Sequence, residues 1–180
     1  MKFTPLALLA SVLTAVSATV VPGASTPLFY LVASSTTSSA NLLPVLLSGS
    51  LGTPSSSTPA AQFYFSGGSL LALSSSTSSP PTSSPSPPYK VYYNSVPASD
   101  CTTFGQLSFI QGSTTNKCAQ FTGFELQSDS ENSQLGAQLV VNFVGGFYAC
   151  AGNAVYYKLN PTDGPSGCSP VSLYTVPVID

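Results

Sequence analysis

Apolar residues in this chain recur at every second position in short runs, and beyond the first eighteen residues no run places them at helical spacing. In an extended strand successive side chains point to opposite faces, so such alternation buries one face of a sheet and wets the other. Many of these residues are Val, Phe or Tyr, which suit a pleated, half-buried surface. The pattern predicts an all-β fold.

The clearest block runs from Gln138 to Leu159. Leu139, Val141 and Phe143 alternate with Gln138, Val140 and Asn142, and Gly145-Gly146 offers the positive-φ pair of a two-residue hairpin turn. Phe147 to Cys150 then returns, Gly152-Asn153 turns again, and Val155 to Leu159 follows, which together predict a three-stranded meander. A second hairpin is expected where Gln62 to Phe65 and Leu70 to Leu73 flank Ser66-Gly67-Gly68-Ser69. Further strands are expected at 28–33, 42–47, 90–93, 106–110, 124–127 and 171–176, about eleven in all. Three segments, FYLVASSTTSSANLL, FYFSGGSLLAL and FELQSDSENSQLGAQLV, repeat an aromatic-led strand, a small polar gap and a Leu-led strand. That recurrence favours a single antiparallel domain built as a β-trefoil-like closed barrel, with a β-sandwich as the alternative.

Residues 1–18 read as a signal peptide: Lys2, an apolar run, then Val16-Ser17-Ala18 as a small-residue cleavage site. The domain is therefore expected over 19–180, a length that can bury roughly 70% of the surface its unfolded chain exposes. The next apolar stretch, Leu42 to Leu47, is broken by Pro44 and is far shorter than the ~20 residues of a membrane helix, so no membrane span is expected. From Ser74 to Pro88 every residue is Ser, Thr or Pro, which predicts an extended, solvated loop at 74–88 within one domain and a place for O-glycosylation.

Beyond the leader the chain carries three lysines against six carboxylates and contains no Arg, His or Trp. Without imidazole there is no Ser-His-Asp triad, Cys-His pair or His-ligated metal. Without a basic footprint, nucleic acid is not a partner. Charged residues make up 6% of the chain, so hydroxyls and amides must keep its surface wet.

Four cysteines, Cys101, Cys118, Cys150 and Cys168, form an even set in an exported context, where thiols oxidise to disulfides. Three pairings are open to them. Sequential closure makes two short loops and costs the least chain entropy, which favours it over the crossed and nested alternatives.

Paired carboxylates are the catalytic apparatus this composition leaves open. Glu125, Asp129 and Glu131 could serve glycoside hydrolysis if one were buried enough to keep its proton, but Asp129 to Asn132 reads as a wet loop tip. The same cluster lacks the ligand spacing of a dedicated calcium loop, so neither a metal nor a cofactor is expected. Sugar binding suits the inventory better, since aromatic faces and neutral hydrogen-bonding groups are abundant. In Tyr156-Tyr157, alternation turns Val155, Tyr157 and Leu159 inward and Tyr156 and Lys158 outward, which makes Tyr156 the candidate carbohydrate-binding residue. Asn116-Lys117-Cys118 is a sequon of the rare cysteine type.

The order Gln62-Phe63-Tyr64-Phe65, Gly68-Ser69-Leu70, Gly105-Gln106-Leu107, Gly123-Phe124-Glu125-Leu126, Phe147-Tyr148-Ala149-Cys150 and Gly167-Cys168 resembles small secreted fungal proteins of the PhiA cell-wall type. The resemblance covers residues 62–176. It implies a secreted or wall-associated fungal protein linked to cell-wall and spore-structure development, brings no catalytic residue, and supports pairing Cys150 with Cys168. Cys101, Cys118 and the Ser/Pro tract depart from its pattern. The sequence thus predicts a non-enzymatic extracellular cell-wall or cell-surface protein whose partner is wall polysaccharide or another glycan. The alternatives are a lectin-like carbohydrate-binding module and a carboxylate-dependent glycoside hydrolase.

Overall fold

The computed structural model describes residues 18–74, 87–94, 102–128, 135–141, 146–159 and 166–179. Twelve strands lie in these segments: β1 Phe29–Ser34, β2 Ala61–Ser66, β3 Ser69–Ser74, β4 Tyr89–Asn94, β5 Phe104–Gln106, β6 Ser108–Ile110, β7 Ala119–Gln120, β8 Phe124–Gln127, β9 Gln138–Val141, β10 Gly146–Ala149, β11 Val155–Lys158 and β12 Ser169–Pro177. A single 3-10 turn spans Ala151–Asn153, and the described residues hold no α-helix. All pairings between strands are antiparallel.

One sheet runs β5-β11-β10-β12-β1-β2-β3-β4-β6. Its two end strands are consecutive in the chain with only Leu107 between them, so the nine-strand path curls into a nearly closed barrel. Leu107 is buried and donates its N–H to the Val155 carbonyl at 2.8 Å. At the same seam Gly49 has φ +76°, and a Cβ there would stand 2.5 Å from the Leu107 carbonyl oxygen. Only glycine suits both that backbone and that approach.

The core follows from the pleat. Phe29, Leu31 and Ala33 point inward from β1, Leu70 and Ala72 from β3, Val91 and Tyr93 from β4, and Val155 and Tyr157 from β11. Closing the sheet gives these faces each other as partners, and no polar or charged residue is buried among the described residues. A smaller apolar cluster, Leu28, Tyr64 and Val178, lies outside the barrel wall. The segment before β1 crosses there, tied by Ser25 N–H to the Phe65 carbonyl and by Leu28 N–H to the Thr19 carbonyl.

The β2–β3 hairpin forms as the sequence predicts, with Ser66 opposite Ser69 and positive φ at Gly67 and Gly68. Gly152-Asn153, both at positive φ, turns β10 into β11. The predicted three-stranded meander does not form. β10 pairs with β11 and β12, whereas β9 pairs with β8 and β12. β9 and β10 are each antiparallel to the same edge of β12, so they run in the same direction and cannot be hairpin partners. Gly146 opens β10 instead of turning a hairpin.

Each of the three recurring segments folds back on itself. β2 pairs with β3, β8 pairs with β9, and β1 meets the return at Pro44 through a bridge to Val32 and mutual hydrogen bonds of Ala33 with Leu42 and Leu43. Two strands also divide one edge between two neighbours, β1 between β2 and the Pro44 return and β12 between β10 and β9, and β7 adds to β4 beyond β6 in sequence.

The proposed leader through residue 17 lies outside the described residues, as does the tract from 75 to 86. β3 and β4, which that tract connects, are direct neighbours paired through Leu71–Lys90 and Ala72–Tyr89.

Candidate functional site

Cys150 and Cys168 form a disulfide with Cα atoms 4.3 Å apart. Ala149 pairs with Ser169 in the last step of the β10–β12 ladder, so the bridge extends that ladder by one rung. Cys118 is also disulfide-bonded, and no cysteine among the described residues is free. Cys101 lies outside the described residues.

The two tyrosines of β11 divide as alternation requires. Tyr157 is 1% exposed, its ring edge-on to Tyr93, and its hydroxyl accepts the Asn94 backbone N–H. Burial pushes its ionisation upward, the Asn94 hydrogen bond opposes this, and the nearby Tyr92 and Tyr93 add to the rise. Tyr156 is half-buried on the outer face.

There Tyr156 stands directly opposite Tyr148 of β10 on one side and Gln106 of β5 on the other, and Tyr148 in turn stands opposite Pro170 of β12. The register therefore lays Gln106, Tyr156, Tyr148 and Pro170 in one row across four strands. With strands about 4.8 Å apart, the row is about 14 Å long. The Lys158 ammonium lies 4.1 Å from the Tyr148 ring centroid, which fixes both side chains through a cation–π contact.

Beside Tyr148 the wall opens into a cleft of about 490 Å3. It arises where β12 passes its edge from β10 at Val171 to β9 at Leu173, leaving Ser172 at the handover. Ser34, Ser35 and Thr36, leaving the end of β1, form one rim, and Gln138, Ser172 and Tyr148 contribute to the rest. None of the described residues lining it is charged. Ser35 Oγ accepts the Thr37 N–H at 3.1 Å, while two other hydrogen bonds here are long: Gln138 Nε2 donates to Ser172 Oγ at 3.3 Å, and Ser35 Oγ donates to the Pro170 carbonyl at 3.4 Å. Bonds of that length hold their partners weakly and leave capacity for other acceptors and donors.

Of the three candidate carboxylates, Glu125 is exposed on β8, while Asp129 and Glu131 lie outside the described residues. Among the described residues no three His, Cys, Asp or Glu side chains converge. Asn116 is committed to structure: its Nδ2 donates to Asn94 Oδ1 at 2.9 Å, and its Oδ1 accepts the Cys118 N–H at 2.9 Å.

Sequence reasoning singled out Tyr156 but not Tyr148, Pro170 or the cleft. The Gly152-Asn153 pair marks the turn before β11 but not the register that brings Tyr148 beside Tyr156. The loop has three residues, Ala151–Asn153, centred on Gly152, and equal steps from that centre place Tyr148 opposite Tyr156, whereas a two-residue turn at Gly152-Asn153 would have set Tyr148 opposite Tyr157. No helix of the described residues is long and apolar enough to cross a membrane. No family model, curated protein or solved structure matches the chain.

Proposed function

We propose that this chain is an exported, non-enzymatic protein of the fungal cell wall or cell surface. The observation that carries the reading is the Cys150–Cys168 bridge beside a barrel wall whose outer side chains are largely neutral. Structural cystines persist in oxidising compartments, and a neutral exterior of hydroxyls, amides and tyrosines suits contact with uncharged polysaccharide. The sequence adds a leader, the loss of all imidazole chemistry, and the resemblance to PhiA-type wall proteins. The O-glycosylated 74–88 loop belongs to the same proposal.

The finer architecture we infer is β-trefoil-like. Three segments that fold back on themselves, and two strands, β1 and β12, that each divide an edge between two partners, support it.

Fractionation of the producing cells tests the function. The protein should be recovered with the wall, and purified protein should be retained by isolated wall polysaccharide. Recovery entirely in the soluble medium with no retention overturns the reading. A lectin directed at foreign glycans is the second reading, favoured by the Tyr148–Tyr156 pair. A defined hit on a glycan array, with no retention by the wall, would select it.

A further inference from the structure

The cleft and the tyrosine row beside it share one residue, Tyr148. That junction combines three properties. Its lining offers hydroxyls and an amide, and the Gln138–Ser172 hydrogen bond among them is long, so this pair can turn to a ligand at little cost. Its aromatic member is held in place before any ligand arrives, because Lys158 sits on the ring of Tyr148. No carboxylate appears among the described lining residues, and the cation beside them, the Lys158 ammonium, is held on the Tyr148 ring.

Concave shape, neutral hydrogen-bonding groups and a fixed aromatic ring are what a polyhydroxylated ligand needs. The row continues outward through Tyr156 to Gln106 at the same level. A ligand entering the cleft at Ser172 therefore has a continuous path across two further strands, which fits a chain of sugar rings better than a single ring.

We propose that the cleft at the parting of β9 and β10 is a binding subsite for a neutral hexose chain, with Tyr148 and Tyr156 as the platform and Gln138, Ser34 and Ser172 as the hydrogen-bonding groups. This rests on the reading of the chain as a wall protein, because it assigns the surface by which the wall is held.

The test measures calorimetric binding of purified full-length protein to neutral gluco- and manno-hexaoses, to a uronic acid hexamer and to a chitosan hexamer, alongside retention on isolated wall polysaccharide. The wild type should bind a neutral hexaose, and Tyr148→Ala should weaken it about tenfold or more, as expected for a central aromatic anchor. Tyr156→Ala should weaken it less. Tyr92→Ala, on a distant part of the outer wall, should change nothing.

Because Tyr148 is half-buried, Thr36→Trp provides an independent arm. Thr36 is exposed on the rim of the cleft, so its replacement fills the cleft without touching the core, and it should also abolish binding. Neutral-hexaose binding unaffected by both Tyr148→Ala and Thr36→Trp would overturn the site. Binding of the uronic or chitosan hexamer alone would overturn the ligand class. Retention by wall polysaccharide without any hexaose binding removes the subsite and leaves the wall reading standing. Loss of wall retention as well removes both.

Discussion

The hydroxyl of Tyr157, on β11, accepts the backbone N–H of Asn94 at the end of β4, tying together two strands that are not neighbours in the sheet. The contact gives an interior phenol its polar partner. Tyr157→Phe keeps the ring and removes that acceptor. The expected cost is about 1–3 kcal/mol, the usual penalty when a donor away from water loses its partner. Urea unfolding followed by circular dichroism should show a lower midpoint with an unchanged slope.

The same residue predicts an alkaline limit. Burial raises the ionisation of Tyr157, opposed in part by the Asn94 hydrogen bond, and burial also raises that of Tyr64. In the unfolded chain these phenols lose their protons first, near pH 10. Their contribution to stability is therefore complete below about pH 10 and declines as pH climbs toward the folded-state values. Unfolding midpoints measured from pH 8 to 11.5 should fall across the upper part of that range. The Tyr157→Phe protein should show a shallower fall.

Gly49 predicts a steric failure. Ala at this position combines a positive φ with a Cβ 2.5 Å from the Leu107 carbonyl oxygen, at the seam where the barrel ends meet. A left-handed backbone alone costs about 1–2 kcal/mol for an L-residue, and the clash adds to it. Gly49→Ala should therefore lower the melting temperature by more than Gly67→Ala, whose Cβ would meet nothing within 4 Å. Equal shifts would show that the seam gives way freely.

Leu42 predicts the opposite sign. It is 64% exposed and has φ 59°, a conformation that L side chains rarely adopt. Leu42→Gly relieves the strain and gives up little burial, although glycine adds entropy to the unfolded chain. The net expectation is a stabilisation of about 0.5–1 kcal/mol. Thermal unfolding of the pair of proteins decides it.

Removing the Cys150–Cys168 bridge by paired Ser substitution should cost about 2–4 kcal/mol, because it frees a loop of 18 residues in the unfolded chain. The loss should be read as a reduced denaturation midpoint. A destabilisation confined to the unfolded ensemble leaves hydrogen exchange in β1 to β3 protected to the new, lower global limit.

The strands were legible because pleat alternation is a local property. Val155 and Tyr157 inward and Tyr156 outward follow from counting along one strand, and Gly67-Gly68 marks its own turn. Partner choice was not local. Gly145-Gly146 carries the chemistry of a hairpin, yet β9 takes β8 and β12 as neighbours. What decides this is the length of β12, nine residues, enough to receive two strands along one edge. The cleft comes from that division and from the return of the chain after Ser34, so no short window of sequence contains it. Gly152-Asn153 marks the turn but not its length: a two-residue turn there sets Tyr148 opposite Tyr157, and the extra loop residue shifts it to Tyr156, while Pro170 joins the row only through the β10–β12 register.

β1 and β12 lie side by side over six residue pairs, from Phe29 with Pro177 to Ser34 with Ser172. A ribosome delivers the first of these long before the second, so a central rung of the cylinder stays unfilled while almost everything between is being made. Native assembly must then be a late, slow event for so small a molecule. In the interval, one side of β1 offers bare amides and carbonyls to any neighbour, and chaperone protection during synthesis matters most at that edge.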